Sequence, residues 1–335
     1  MKDYKKILLI NYGGIGDEIL FLPTIKTVKE QFPNAKISLA LEPRSKSILS
    51  LTKYIDEIIE VDIKASGIKK YLNILKLIFK IFMRFDCVIS SGKNPLVALI
   101  LFLSGIKKRI GYNSKLGFLL TDKIELNENQ YAGMMYHDLV KPISNIEYQN
   151  PTIELEDKFD FILEKNSYIC IHPGVSKMSI QKNIFKCPKI DFWNELILGL
   201  LNKNKKVVLL GTNDDKDLIE EILKNNLISN NPNFINYFKK TKSLMDMASI
   251  MKHSQAVICV DSAPLHVAVC VNANTFAIFG PTNDLKLIPK KENIYLIQNN
   301  AECRPCLWHK RQFNCPESKC LNINPILILD KINWF

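Results

Sequence analysis

Short runs of apolar, often β-branched residues alternate along this chain with longer segments of helical periodicity. Seven runs have the length and character of buried strands. They cover residues 7–10, 36–41, 87–90, 168–172, 206–210, 256–260 and 275–279. Strands that alternate with helices in this way form parallel sheets with helices on their faces. The pattern therefore predicts an α/β protein of Rossmann-like type.

This alternation is interrupted near the middle of the chain. Residues 145–156 are polar and include Pro151, and a new apolar run begins at Tyr168. A length of 335 residues suits two α/β domains. We predict one domain at residues 1–160 and a second at 161–335, facing each other across a cleft. Open α/β sheets bind ligands at the carboxyl ends of their strands, so the site is expected in that cleft.

Composition adds one surface feature to this picture. The net charge is +11, but residues 64–115 alone contain eleven Lys and Arg against the single acid Asp86. Such concentration indicates one basic face, and we expect no nucleic-acid partner. The longest apolar runs, such as 95–106, are shorter than the roughly 20 residues of a spanning helix. No transmembrane segment and no signal peptide are expected, which favours a cytoplasmic location.

Part of the basic region has helical periodicity. Between residues 69 and 85 five polar residues form one stripe, made of Lys69, Asn73, Lys76, Lys80 and Arg84. The favoured interpretation is a domain helix whose apolar sides are buried and whose basic edge is exposed to solvent. The alternative is a helix that lies on an anionic membrane or binds an acidic, lipid-linked acceptor.

The first strand leads into a glycine turn that contains Gly13, Gly14, Gly16 and Asp17. A dinucleotide fingerprint would need a third glycine at position 19, where this chain has Ile19, so a Rossmann cofactor site is disfavoured. The glycines can make room for a substrate hydroxyl beside Asp17, whose carboxylate can accept a proton. Taken alone, a helix-capping role for Asp17 is the simpler explanation.

Two further turns offer hydrogen-bond donors. The run 169–172 leads into a turn with Ser176, and Lys177, Lys182 and Lys186 follow. Such a loop suits a diphosphate, although a solvated basic loop has the same composition.

The third turn begins with Asp261, Ser262 and Ala263 and continues to His266 one helical turn later. Small residues at a helix N-terminus bind phosphate through free N–H groups. Ser262 and the amide of Ala263 can hold such an anion, with His266 as an additional donor or as a structural residue. The run 275–279 then ends in Gly280-Pro281-Thr282 at the same sheet edge.

Taken in order, these motifs resemble glycosyltransferase family 9, the heptosyltransferase family. The resemblance rests on Gly16-Asp17, His172-Pro173-Gly174, Asp261-Ser262-x-Pro264-x-His266 and Phe279-Gly280-Pro281-Thr282. It implies a GT-B fold, with the acceptor bound by the N-terminal domain and the nucleotide sugar by the C-terminal one. It also implies inverting chemistry without a catalytic metal or other cofactor, with Asp17 as the base.

Two departures from the family pattern affect the donor side. Ala263 stands where most members have glycine, and residues 182–188 replace the usual Lys-x-Trp-Pro stretch. The family's phosphate-binding lysine matches Lys182 best, with Lys186 as the alternative.

The resemblance implies transfer of heptose from ADP-heptose to a lipopolysaccharide or lipooligosaccharide core, at the inner face of the cytoplasmic membrane. Two alternatives stay open. The acceptor can be a protein hydroxyl, or the chain can be a sugar-nucleotide-binding protein without turnover.

Four cysteines stand close together near the end of the chain: Cys303, Cys306, Cys315 and Cys320, in segment 303–320. Four thiolates can form a tetrahedral site, and reducing cytosol favours a metal over disulfides. We predict a structural zinc or iron ion there, with unligated thiols as the alternative. Similar clusters in one branch of the family hold iron.

Overall fold

The computed structural model describes residues 3–155, 161–307, 315 and 318–332. The chain divides into two compact units, Met1–Thr152 and Ile153–Phe335. This division lies slightly before the boundary that we predicted after residue 160. Each unit is built around its own parallel sheet.

The first unit contains strands β1 (Lys6–Ile10), β2 (Lys36–Leu41), β3 (Glu57–Glu60), β4 (Cys87–Ser90), β5 (Lys108–Tyr112) and β6 (Asp122–Ile124). Its helices are α1 (Ile15–Gln31), α2 (Ile68–Ile81), α3 (Pro95–Leu103) and α4 (Ala132–Asp138). All strands are parallel, in the order β3-β2-β1-β4-β5-β6.

The second unit contains strands β7 (Tyr168–His172), β8 (Lys206–Leu209), β9 (Phe234–Asn236), β10 (Ala256–Val260), β11 (Thr275–Phe279) and β12 (Ile294–Gln298). Its helices are α5 (Lys177–Gln181), α6 (Ile190–Asn202), α7 (Lys216–Leu223), α8 (Asn226–Ser229), α9 (Leu244–Lys252), α10 (Ala263–Cys270), α11 (Asp284–Leu287) and α12 (Ile326–Ile332). The parallel strands lie in the order β12-β11-β10-β7-β8-β9, the same topology as in the first unit.

The central strands carry the core of each unit. Every residue of β7, β10 and β11 is buried, and the fully buried Trp193 of α6 belongs to the same core. Apolar side chains on both faces of a parallel sheet must be covered, and the helices do this. The predicted α/β architecture with two Rossmann-like domains is confirmed.

Both strand orders reverse at one point, between β1 and β4 in the first sheet and between β7 and β10 in the second. Open α/β sheets bind ligands beside the carboxyl ends of the strands at such a switch point. The glycine turn follows β1, and the Asp261-Ser262 turn follows β10. The predicted site residues of each unit are therefore located where this topology favours a ligand.

The helices correct one expectation. In α2 only Leu77 and Ile81 are buried, so the favoured interpretation of residues 69–85, with buried apolar sides, is wrong. Within the described ranges, no helix has both the length and the apolar character to cross a membrane.

Candidate functional site

The Asp17 carboxylate lies in the first turn of α1, at the switch point of the first sheet. Its Oδ2 accepts a hydrogen bond from the backbone N–H of Gly14 at 2.8 Å. Its Oδ1 accepts one from the hydroxyl of Tyr136 at 3.2 Å. The side chain is half-buried and remains accessible from solvent. Asp17 therefore caps the helix as expected, and the same carboxylate keeps oxygen lone pairs for a further partner.

Gly13 is required for this placement. A Cβ atom at position 13 would lie 2.1 Å from the Cβ of Asp17, so any side chain there would displace the carboxylate. The hydroxyl of Ser45 donates to the Gly13 carbonyl at 3.1 Å and ties the turn to the segment after β2. Gly14 supplies the capping amide, and Gly16 lies half-exposed within α1.

A buried polar chain connects the two central strands at this point. The Ser91 hydroxyl, just after β4, donates to Asn11 Oδ1 at 2.6 Å. Asn11, just after β1, donates through Nδ2 to the Asp17 carbonyl at 3.3 Å. The first turn of α1 is thus held from both strands.

Tyr136 holds the Asp17 side chain from a third direction, because it comes from α4. Burial, with a further contribution from the Asp17 charge, raises the pKa of Tyr136 well above its ordinary value. The phenol therefore stays protonated and acts as a donor to Asp17. Tyr136 was not among the predicted site residues, since it is 119 positions away in the chain.

Glu18, next to Asp17, has no exposed surface. Within the described part of the chain, neither of its carboxyl oxygens has a hydrogen-bond partner of ordinary geometry. Burial raises the pKa of Glu18 well above its ordinary value, and the Asp17 charge adds to this. Glu18 is therefore expected to be neutral in the folded chain.

This burial predicts a pH-dependent stability. The folded chain keeps the Glu18 proton above the ordinary pKa of 4.5, whereas the unfolded chain releases it. The free energy of unfolding should therefore fall as the pH rises from 4.5 towards the raised pKa, by at most about 1.4 kcal/mol per pH unit. Glu18→Gln should remove this dependence, so the melting temperature of the variant relative to wild type should increase between pH 5 and pH 8.

The exposed Glu147 provides the control, because Glu147→Gln should shift the melting temperature equally at both pH values. If Glu18→Gln gains no stability relative to wild type between pH 5 and pH 8, Glu18 is ionised in the folded chain.

The second switch point presents a helix N-terminus. Ser262 is the N-cap residue of α10, but its side chain does not cap the helix and its hydroxyl contacts the Val260 carbonyl at 3.4 Å. Ser262 and Ala263 are half-exposed, and His266 is buried in the next turn. Pro264 has no N–H, and the Leu265 N–H donates to the Ser262 carbonyl at 3.1 Å, so the first turn offers the Ala263 N–H to an anion.

Lys186 lies beside this turn. Its Nζ is 3.2 Å from Oδ2 of the buried Asp261, and the lysine side chain is itself mostly buried. Lys182, the lysine that matched the family pattern best, is the exposed C-cap of the short helix α5, and Ser176 is the exposed N-cap of the same helix. In the described ranges Lys182 makes no ion pair and no side-chain hydrogen bond with the Asp261 turn, whereas Lys186 does. The structure thus brings Lys186, and not Lys182, to the second switch point.

The end of β7 and the turn after it pack against the carboxylate of Asp215, which was not among the predicted site residues. Nε2 of His172 lies 3.7 Å from Oδ2 of Asp215, and both side chains are buried. Burial lowers the pKa of His172, while the Asp215 charge acts in the opposite direction. A Cβ at Gly174 would lie 1.8 Å from Asp215 Oδ1, so this position requires glycine. The His172-Pro173-Gly174 motif is thus explained by packing against Asp215.

The cysteine-rich segment docks on the turn after β11. Arg304 Nε donates to the Gly280 carbonyl at 2.5 Å, and the Cys306 N–H donates to the Pro281 carbonyl at 3.0 Å. Thr282 of the same turn is buried. The segment therefore supports the Gly280–Thr282 loop from outside the sheet.

The four cysteines of this segment form no disulfide with one another. Burial and the neighbouring cysteines raise the pKa of Cys320 to about 11, and the same causes raise the pKa of Cys306. Across the described residues, however, no three His, Cys, Asp or Glu side chains are arranged to hold a metal ion. The donor chemistry suits a soft metal, but the side-chain arrangement does not support the predicted site.

Comparisons with known proteins agree with this architecture. The family model of glycosyltransferase family 9 (heptosyltransferase) matches residues 74–316. Lipopolysaccharide heptosyltransferase 3 of Escherichia coli K12 is 25% identical over 297 residues, which are 83% of this chain and 83% of that protein.

Two solved structures resemble the fold. The E. coli ADP-heptose lipopolysaccharide heptosyltransferase II has a TM-score of 0.74 at 19% identity, over 98% of each chain. The iron-containing heptosyltransferase TibC of enterotoxigenic E. coli, solved with ADP-D-β-D-heptose, has a TM-score of 0.61 at 11% identity, over 100% of this chain and 77% of that one. These likenesses confirm the predicted GT-B fold class. Since the family model covers most of its length, this chain belongs to glycosyltransferase family 9, the heptosyltransferase family.

Proposed function

We propose that this chain is an inverting transferase that moves a heptose from ADP-heptose onto a hydroxyl of a lipopolysaccharide or lipooligosaccharide core. Family membership supports the reaction class. The E. coli relative is named a lipopolysaccharide heptosyltransferase, and TibC was solved with an ADP-heptose, which supports the donor and the acceptor. The acceptor and the donor would meet at the inner face of the cytoplasmic membrane.

The observation that carries the proposal is the geometry of Asp17. Its carboxylate is accessible, and Gly14 and Tyr136 hold it in one orientation. A base held in this way can take the proton of an acceptor hydroxyl as that oxygen attacks. The new bond forms at the anomeric carbon while the bond from that carbon to the diphosphate breaks, and ADP leaves with the bonding electrons. A single displacement of this kind inverts the anomeric centre.

The leaving diphosphate needs fixed positive charge and donors where its charge develops. The Ala263 amide at the start of α10, the half-exposed Ser262 and the ammonium group of Lys186 provide these at the second switch point. We assign the phosphate-binding role to Lys186 because it lies against Asp261, whereas Lys182 is exposed at the end of α5. No metal is needed for this part of the mechanism.

A ligand panel tests the donor. The purified chain is heated with ADP-heptose, ADP, UDP, GDP or NAD, and the melting temperature is recorded. ADP-heptose and ADP should stabilise the chain, by about 2.7 kcal/mol at one hundred times the dissociation constant. Stabilisation by UDP or GDP alone would contradict ADP-heptose as the donor but leave the assignment as a transferase intact. Stabilisation by NAD alone would contradict both assignments.

We also propose that Cys303, Cys306, Cys315 and Cys320 bind a structural zinc or iron ion that takes no part in sugar transfer. Four cysteines within eighteen residues of the sequence support this, because four thiolates are the donor set of a tetrahedral zinc or iron site. Metal analysis of the purified chain should find about one zinc or iron per molecule. Cys303→Ser should lose this metal, whereas the control Cys187→Ser should retain it. If the purified chain contains neither zinc nor iron, the four cysteines are unligated thiols and the proposed metal site is wrong.

A further inference from the structure

Helix α2 presents an apolar face to solvent. Ile68 and Phe79 are 78% and 80% exposed, and Leu72 and Leu75 are each 50% exposed. Their spacing of four, three and four residues places them on one face of the helix. The buried Leu77 and Ile81 are on the opposite side, where the helix packs on its own unit. The amphipathic pattern of α2 is therefore reversed relative to an ordinary surface helix, because its most apolar stripe points outward.

The exposed apolar surface continues beyond α2. Met83, just after the helix, donates its backbone N–H to the Ser104 carbonyl at the end of α3, at 2.8 Å. This contact brings the end of α2 and the end of α3 together. We call the whole surface the apolar face; its members are Ile68, Tyr71, Leu72, Leu75, Phe79, Phe82, Met83, Phe102 and Leu103, all exposed.

Lysines border this face. Lys69, Lys76 and Lys80 fall on one flank of α2, next to the apolar stripe, and all three are exposed. Residues 63–85 contain no Asp or Glu. Nearby basic residues such as Arg84 and Lys108 pair with Glu57 and Asp122, but none of the three flanking lysines has an ion-pair partner among the residues that the structure describes.

This combination of charge and apolar surface favours one occupant. A second copy of the chain would bring the same lysines together without acids to pair them, which costs free energy. An anionic bilayer matches both features, because its headgroups attract lysines and its acyl boundary accepts Phe, Leu and Ile side chains. Contiguous exposed apolar patches of this kind mark interaction surfaces.

We propose that the apolar face inserts into the interfacial layer of a membrane rich in anionic lipids, with α2 parallel to the surface and Lys69, Lys76 and Lys80 among the headgroups. The inference rests on the proposed function in one respect, because a lipid-linked acceptor lies in such a membrane. It names the surface of the first unit that docks there, and it assigns the contact to the apolar residues together with the flanking lysines and not to the basic stripe alone.

The test is sedimentation of the full chain with vesicles, without donor or acceptor. Wild type should bind vesicles of phosphatidylglycerol and phosphatidylethanolamine, and should bind phosphatidylcholine vesicles far more weakly. The double variant Leu72→Ser/Phe79→Ser should lower the partition coefficient at least about 10-fold. Replacing Lys69, Lys76 and Lys80 by Gln should lower it about 100-fold.

Matched controls come from the second unit. Leu227→Ser/Leu285→Ser removes two equally exposed apolar side chains, and Gln at Lys189, Lys206 and Lys252 removes three exposed charges. Both controls should bind as wild type. ADP binding by every variant, measured separately, reports the donor site, so a failed proposed function and a failed docking surface give different results.

Several results would overturn the docking surface. These are absent vesicle binding by wild type, equal binding to neutral and anionic vesicles, and control variants that weaken binding as much as the α2 variants. A concentration-dependent dimer that Leu72→Ser/Phe79→Ser abolishes would instead identify a second copy as the occupant.

Discussion

Asp17→Asn should reduce the turnover number by about 10²–10⁴-fold while leaving the dissociation constant of ADP within about 3-fold of wild type. The asparagine amide oxygen can still accept the Gly14 N–H, and its NH₂ group can donate to the Tyr136 oxygen. The first turn of α1 therefore keeps its cap, and stability should change by less than about 1 kcal/mol. Only the ability to take a proton is lost. Initial rates with saturating ADP-heptose, together with calorimetric titration of ADP, measure both quantities.

Asp246 offers a matched control. It occupies the same position in the first turn of α9, is half-buried, and accepts a backbone N–H from Lys242 at 2.7 Å. Asp246→Asn makes the same chemical change at a helix start that no proposed role includes, so its turnover should equal that of wild type. Turnover by Asp17→Asn at the rate of Asp246→Asn would remove Asp17 as the base.

Lys186→Met should weaken ADP binding by about 10- to 100-fold, the usual effect of losing a hydrogen bond to a charged group. The effect of Lys182→Met should stay within about 3-fold, since Lys182 is exposed at the end of α5. Calorimetric titration of ADP on both variants gives the comparison directly. A larger loss for Lys182→Met would return the phosphate-binding role to Lys182.

A stability effect accompanies the Lys186 substitution and has to be separated from binding. Methionine leaves the buried Asp261 carboxylate without its cation, which destabilises the fold. The double variant Lys186→Met/Asp261→Asn removes that unpaired charge. Its melting temperature should recover towards wild type, whereas its ADP affinity should remain low. Recovery of both would mean that Lys186 acts only through folding.

The sequence was sufficient to predict the central strands, and the reason is burial on both faces. Five of the seven predicted runs coincide with the observed strands β2, β4, β7, β10 and β11, and the other two differ from β1 and β8 by one residue at one end. Strands that are buried on both faces have continuous apolar sequences. The strands that the pattern missed are β3, β6, β9 and β12, at the sheet edges, and β5, which begins with Lys108 and Arg109. Edge strands are short and half-exposed, so their apolar signal is weak.

The site shows the same division between local and distant information. Ser262 and Ala263 come just after β10, and Asp17 lies in the first turn of the helix after β1, so strand prediction placed all three at the carboxyl ends of central strands. Tyr136, Asp215 and the pairing of Lys186 with Asp261 depend on contacts between distant segments. The outward apolar face of α2 contradicts the favoured interpretation of this helix, because helical periodicity separates two faces without indicating which one the rest of the unit covers.

The most direct test of the central claim is the mass of the acceptor after reaction. The purified chain is incubated with ADP-heptose and a lipopolysaccharide core that lacks its outer heptose, and both the acceptor mass and the released ADP are measured. One heptosyl unit should be added for each ADP released, with inverted anomeric configuration. An acceptor that stays unmodified while the chain binds ADP-heptose would contradict transfer to this core, and addition of heptose to a protein hydroxyl instead would identify a different acceptor class.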